Sequence, residues 1–170
     1  MGWVTLTLRK TELKRTHADY QMELLEISRT KRQMARQNHY DQLVARNEGQ
    51  NATNSLYAEY TAARDAATQQ MQGATTTNAD GSKTTDQAAL AAAQQALNAA
   101  KEDYEMKKMN AQNDMEEELA RIEQEANDTE TMLDQEQVEV EAQLEAISAE
   151  MEAVGEAVSS QIQSSTIKLS

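Results

Sequence analysis

At 170 residues the chain has the length of one ordinary domain, but 27 alanines supply much of its 39% apolar content, and it holds no proline, cysteine or phenylalanine. Such a composition cannot fill a thick core and favours a narrow seam between long helices, since proline, the strongest helix breaker, is missing. The lack of cysteine excludes a disulfide scaffold and thiolate metal sites, and the net charge of −13 disfavours nucleic-acid phosphates as a partner.

The charge is distributed unevenly. Residues 1–50 hold nine Lys/Arg against six Asp/Glu, residues 51–100 two against four, and residues 101–170 five against nineteen. A basic first arm and an acidic last arm attract one another when laid antiparallel or placed in neighbouring subunits. No segment has the apolar length to span a bilayer, which takes about 20 residues, and the opening lacks the pattern of a cleaved secretory signal, so the expectation is a soluble chain.

The first segment, residues 1–8, reads "MGWVTLTL" and alternates with a period of two, which predicts a short strand with Trp3, Val4, Leu6 and Leu8 as an apolar assembly element. A first helical arm follows over residues 9–72. Leu13, Tyr20, Leu24, Ile27 and Met34 recur there at helical spacing, with His17, Lys31 and Asn38 on the same face. That face is imperfectly apolar and is expected to meet polar groups on its partner. The stripe is then read as shifting to Tyr40, Leu43 and Val44, with a break near residues 49–54 where Gly49 would cap one helix and Asn54 or Ser55 start the next. Leu56, Tyr60, Ala63, Ala67 and Met71 continue the arm to Gly73, a second candidate cap.

Residues 73–86 lose all periodicity and are rich in Thr, Asn, Asp and Gly, which predicts a loop closed by Asp86 as the cap of the next helix. A long second arm is expected over residues 87–163. Its stripe runs through Leu90, Ala93, Leu97, Ala100, Tyr104, Lys108, Ala111, Met115, Leu119, Ile122, Ala126, Thr129, Leu133, Gln137, Val140, Leu144, Ile147, Met151, Val154 and Val158. The mean step of about 3.58 residues lies close to the 3.6 of a straight helix, so the arm supercoils only weakly. The C-terminal segment, residues 164–170, alternates again, with Ile167 and Leu169 on one side as a second strand-like assembly element.

These pieces predict an all-α fold: a long antiparallel helical hairpin with short strand-like segments at both termini. Two helices in contact leave much of each surface uncovered, and Met22 and Leu25 lie off the seam, so self-association is expected.

No catalytic signature is visible. The Glu-x-x-His spacing of a di-metal bundle is absent, since Lys14 and Arg36 stand three residues before His17 and His39. Asn78, Asp80 and Ser82 fit the opening of a calcium loop, but its terminal glutamate is missing. No glycine-rich phosphate loop, nucleophile elbow or cysteine nucleophile occurs. The expectation is a non-enzymatic protein without cofactor or metal.

In layout the chain resembles flagellins and type III secretion needle or filament subunits, in which helical N- and C-terminal arms pack together around a variable loop. The resemblance implies a self-assembling filament subunit whose partners are copies of itself and a secretion machinery. It also implies an extracellular location reached without a cleaved signal, with residues 73–86 on the outside of the polymer. The strand-like ends depart from the helical termini typical of those proteins. An alternative is a cytoplasmic coiled-coil adaptor, chaperone or tether that grips a client protein, similar to prefoldins, although prefoldins place their strands between the two helices.

Overall fold

The computed structural model describes residues 2–167. Helix α1 (Trp3–Gly73) leads through strands β1 (Thr75–Thr77) and β2 (Lys83–Thr85) into helix α2 (Gln87–Ile167). The fold is an all-α helical hairpin, and the two strands pair antiparallel with Thr76 opposite Thr84. Two compact units divide it: one combines residues up to Asn38 with those from Gln124 on, and the other is His39–Glu123.

In the first unit, Leu13 and Ile27 of α1 and Val140 of α2 are buried. Around them Tyr20, Leu24 and Met34 of α1 and Leu133, Leu144, Ile147, Met151, Val154 and Val158 of α2 are half-buried at helical spacing. The polar seam position Lys31 finds partners across the pair. Lys31 Nζ donates to Asp134 Oδ1 at 2.6 Å and to Gln137 Oε1 at 2.6 Å. At the outer edge Arg9 donates two hydrogen bonds to Glu150 Oε1, at 2.9 and 2.7 Å.

Residues 3–8 are helical here, not a strand. The reason lies in the seam. Half-buried Leu6, Lys10 and buried Leu13 are separated by four and three residues, so a helical start extends the apolar face backwards by two turns. The β-branched residues cost only a few tenths of a kcal/mol each in a helix, whereas a two-stranded ribbon is marginal alone. Thr7 and Thr11 satisfy their hydroxyls by donating to the carbonyls of Trp3 and Thr7. At the other end α2 runs past residue 163 to Ile167, where a strand-like segment was expected from residue 164; Leu169 lies outside the described residues.

In the second unit Ala45, Ala67, Ala74, Ala93 and Ile122 are buried, and Leu119 is half-buried. The expected break at residues 49–54 does not occur, because α1 continues through it. Gly49 is a contact residue and not a cap: a Cβ built on it would lie 2.6 Å from Met115 Sδ. The seam keeps its spacing through Asn38, Ala45, Gly49, Thr53, Leu56 and Tyr60, and does not shift as expected. Tyr40 and Leu43 are therefore exposed, at 61% and 45%, with Val44 half-buried on the seam's flank. Ala63, read as a seam position, is also exposed. Tyr60 stacks on Tyr104 with ring centroids 5.0 Å apart, and Tyr57 meets the same ring edge-on at 6.2 Å.

The segment expected to be a loop carries a small β-hairpin. Gly81 N donates to Asn78 O and Asn78 N to Ser82 O, and Gly81 takes φ of 84°. This is a three-residue turn whose last position is left-handed, which glycine alone enters without steric cost. Asp80 Oδ1 accepts from both the amide and the hydroxyl of Ser82, and these bonds, the hydroxyl's first, hold its carboxyl below the usual range. Helix α1 ends at Gly73 without a left-handed residue there. Asp86 caps α2, accepting from the amides of Ala88 and Ala89 at 3.0 and 3.1 Å.

Candidate assembly surface

A two-helix pair covers one side of each helix and leaves the other to solvent. In the first unit the seam of α1 advances from Leu13 to Asn38 in alternating steps of four and three. A second line of positions, nearly opposite on the same helix, advances with the same rhythm. It begins with Trp3 and Thr7 and continues through Lys14, Ala18, Met22, Leu25, Arg29, Arg32 and Arg36, all of them exposed. Trp3 is 54% exposed, and Met22 and Leu25 are each 56% exposed. These side chains present apolar surface without a covering partner among the described residues.

The line is also strongly basic. The four carboxylates of α1 in this unit, Glu12, Asp19, Glu23 and Glu26, share a different flank of the helix. Lys14, Arg29 and Arg36 make no ion pair among the described residues, and Arg32 donates only to the carbonyl of Ser28 within its own helix.

The outer face of α2 in this unit has the opposite character. From residue 122 to residue 167 the sequence contains no lysine or arginine. Val138, Ala142, Glu145, Ala149, Glu152 and Glu156 follow one another in steps of four and three and are all exposed. This line carries carboxylates separated by alanines, and small side chains let a second helix approach closely.

Of the residues singled out as assembly elements, Trp3, Val4 and Leu8 lie exposed in the first turns of α1, while Leu6 turns toward the seam. Trp3 begins the basic line; Val4 and Leu8 lie on its flank. Ile167 closes α2, and Leu169 lies outside the described residues. Sequence reasoning missed the basic line as a unit, although Met22 and Leu25 stood out as apolar residues off the seam. The signal was the recurrence of Arg29, Arg32 and Arg36 at the same spacing as those two residues. Among the described residues no helix is long and apolar enough to cross a membrane, and no group of three His, Asp or Glu side chains is placed to hold a metal ion. No protein-family model, curated protein or solved structure matches the chain.

Proposed function

We propose that the protein is a structural, self-assembling subunit, packed side by side with copies of itself through its long helices into a filament or similar polymer. One observation carries this reading: the amount of surface left uncovered. The chain presents 12,593 Å² to solvent, whereas a folded monomer of its mass exposes roughly 8,300 Å² by the usual scaling of area with size. The excess includes large apolar side chains on both helices, among them Met22, Leu25, Tyr57, Met106 and Met109. Association with further copies removes such surface from water at about 25 cal/mol per Å². The helical start at Trp3 also removes one departure from the flagellin and needle-subunit layout, whose termini are helical. Export without a cleaved signal and a polymer-exposed β-hairpin belong to this reading. Negative-stain electron microscopy of the purified full chain tests it: regular fibres support it, and discrete particles of fixed size at every concentration refute it.

The alternative, a coiled-coil adaptor, chaperone or tether, gains support from a different observation. Among the described residues the two strands lie between the helices, where prefoldins carry theirs. A closed ring or dimer that lowers the aggregation of an unfolded client would favour this second reading.

A further inference from the structure

We infer that the basic, apolar line of α1 docks on the acidic, alanine-bearing line of α2 in a second copy of the chain, an inference that rests on the self-assembly reading and specifies its contact. Four features of the first unit point to this occupant. Met22 and Leu25 supply exposed apolar area at the centre of the α1 line, flanked by Lys14 on one side and by Arg29, Arg32 and Arg36 on the other. Glu145, Glu152 and Glu156 supply the matching charge on α2, where Ala149, between Glu145 and Glu152, leaves room for the Met22–Leu25 pair to approach the helix backbone. Both lines advance in steps of three and four, so they can run together; at 1.5 Å per residue Lys14 to Arg36 spans about 33 Å and Val138 to Glu156 about 27 Å, and the shorter line sets the shared length. Residues up to Asn38 carry eight Lys/Arg against four Asp/Glu, and residues from 124 on carry one against eleven. The imbalance is thus of opposite sign on the two helices of the same unit.

The two lines face away from the seam on different helices, so neither can satisfy the other within one molecule. Each copy offers one surface of each kind. A contact between unlike surfaces is heterologous and leaves a free surface at both ends of any chain of copies, which is the geometry that grows a polymer and not a closed dimer. An isolated surface ion pair contributes little, but here the charges flank an apolar centre that association dries. The charges set which surfaces meet, and the contact weakens as salt rises.

A charge-exchange experiment on the full chain tests this. One variant carries Arg29→Glu, Arg32→Glu and Arg36→Glu; a second carries Glu145→Lys, Glu152→Lys and Glu156→Lys. All six side chains are exposed, so both variants keep their helical circular dichroism, which is checked first. Assembly is followed by sedimentation and by the emission of Trp3, the only tryptophan. Each variant alone requires at least about tenfold more protein than the native chain to assemble, since like charges now meet. An equimolar mixture of the two regains assembly, because the acidic α1 line of the first matches the basic α2 line of the second, and the reverse pair matches as well. If the native chain assembles and both variants assemble equally well, or if the mixture does not recover, this contact is refuted while self-assembly stands. If the native chain stays monomeric, the self-assembly reading itself falls, and the inference with it. Binding of that monomer to phosphatidylserine vesicles, lost in the arginine variant, would then assign the basic line to a lipid surface.

Discussion

Replacing Gly49 by alanine sets two effects of opposite sign against each other. In the interior of a helix alanine is favoured over glycine by roughly 0.8–1.0 kcal/mol. Against this, the added Cβ would stand 2.6 Å from Met115 Sδ, 2.9 Å from its Cγ and 3.1 Å from its Cβ, where carbon contacts settle at about 3.5–4.0 Å. The Met115 Sδ and Cγ must leave their packed positions, and the Cβ at 3.1 Å must give by a few tenths of an ångström. Overpacking of this kind costs about 1–3 kcal/mol. The net expectation is destabilisation by up to about 2 kcal/mol in the native background. With Met115→Ala already present the atoms at 2.6 and 2.9 Å are gone and only the Cβ contact at 3.1 Å remains, so Gly49→Ala should be neutral or stabilise by up to about 1 kcal/mol. The coupling between the two sites is therefore up to about 3 kcal/mol. Urea unfolding followed by helical circular dichroism measures it, with all four chains compared at one protein concentration because association adds to apparent stability. If Gly49→Ala stabilises the native chain as much as it stabilises Met115→Ala, the close approach of α1 and α2 at this point is refuted.

Three further outcomes are expected. Val140→Asp places an unpaired carboxylate on a buried seam position and should lower unfolding stability by about 3–5 kcal/mol; an unchanged thermal midpoint would show that Val140 faces solvent. Gly81→Ala forces a Cβ into the left-handed turn at φ of 84° and should cost about 1–2 kcal/mol locally, read as faster amide exchange at Ser82 while α2 is unaffected. The Asp80 carboxyl is held low by the hydroxyl and amide of Ser82. Its support of the turn is thus fully present above the unfolded carboxylate value of about 3.9 and lost as pH falls through the lower folded value. The Ser82 amide shift in a pH titration should show its midpoint below about 3.9, and a midpoint at or above that value would contradict the bond.

The long second helix was legible because its stripe, from Leu90 to Val158, repeats at nearly the period of a straight helix; each position on it is buried or half-buried. Lys31 was legible as a polar seam position, though not its partners Asp134 and Gln137, since a charge pattern does not fix which turn of one helix meets which turn of another. The opening segment was misread for a physical reason. Six alternating residues fit a strand and a helix equally well, and the deciding fact, that Leu6 and Lys10 continue the spacing of Leu13, lies outside that window. Gly49 misled in the same way. Taken alone it signals a helix end, but it falls four residues after Ala45 and four before Thr53, on the seam, where a missing side chain admits Met115. The β-hairpin between the helices was hidden because its strands are only three residues long and its specificity comes from one left-handed glycine and a few side-chain bonds. The basic line of α1 was visible in the spacing of its arginines, but its meaning depended on knowing that the opposite face is the one that meets α2.

The central claim is that one molecule leaves too much apolar and charged surface uncovered to remain alone. Sedimentation equilibrium of the full chain over a wide concentration range, at low and at high salt, tests this most directly. The account predicts a mass that climbs with concentration well beyond a pair of chains and falls back as salt is added. A single species of 18.9 kDa at every concentration and salt would contradict it.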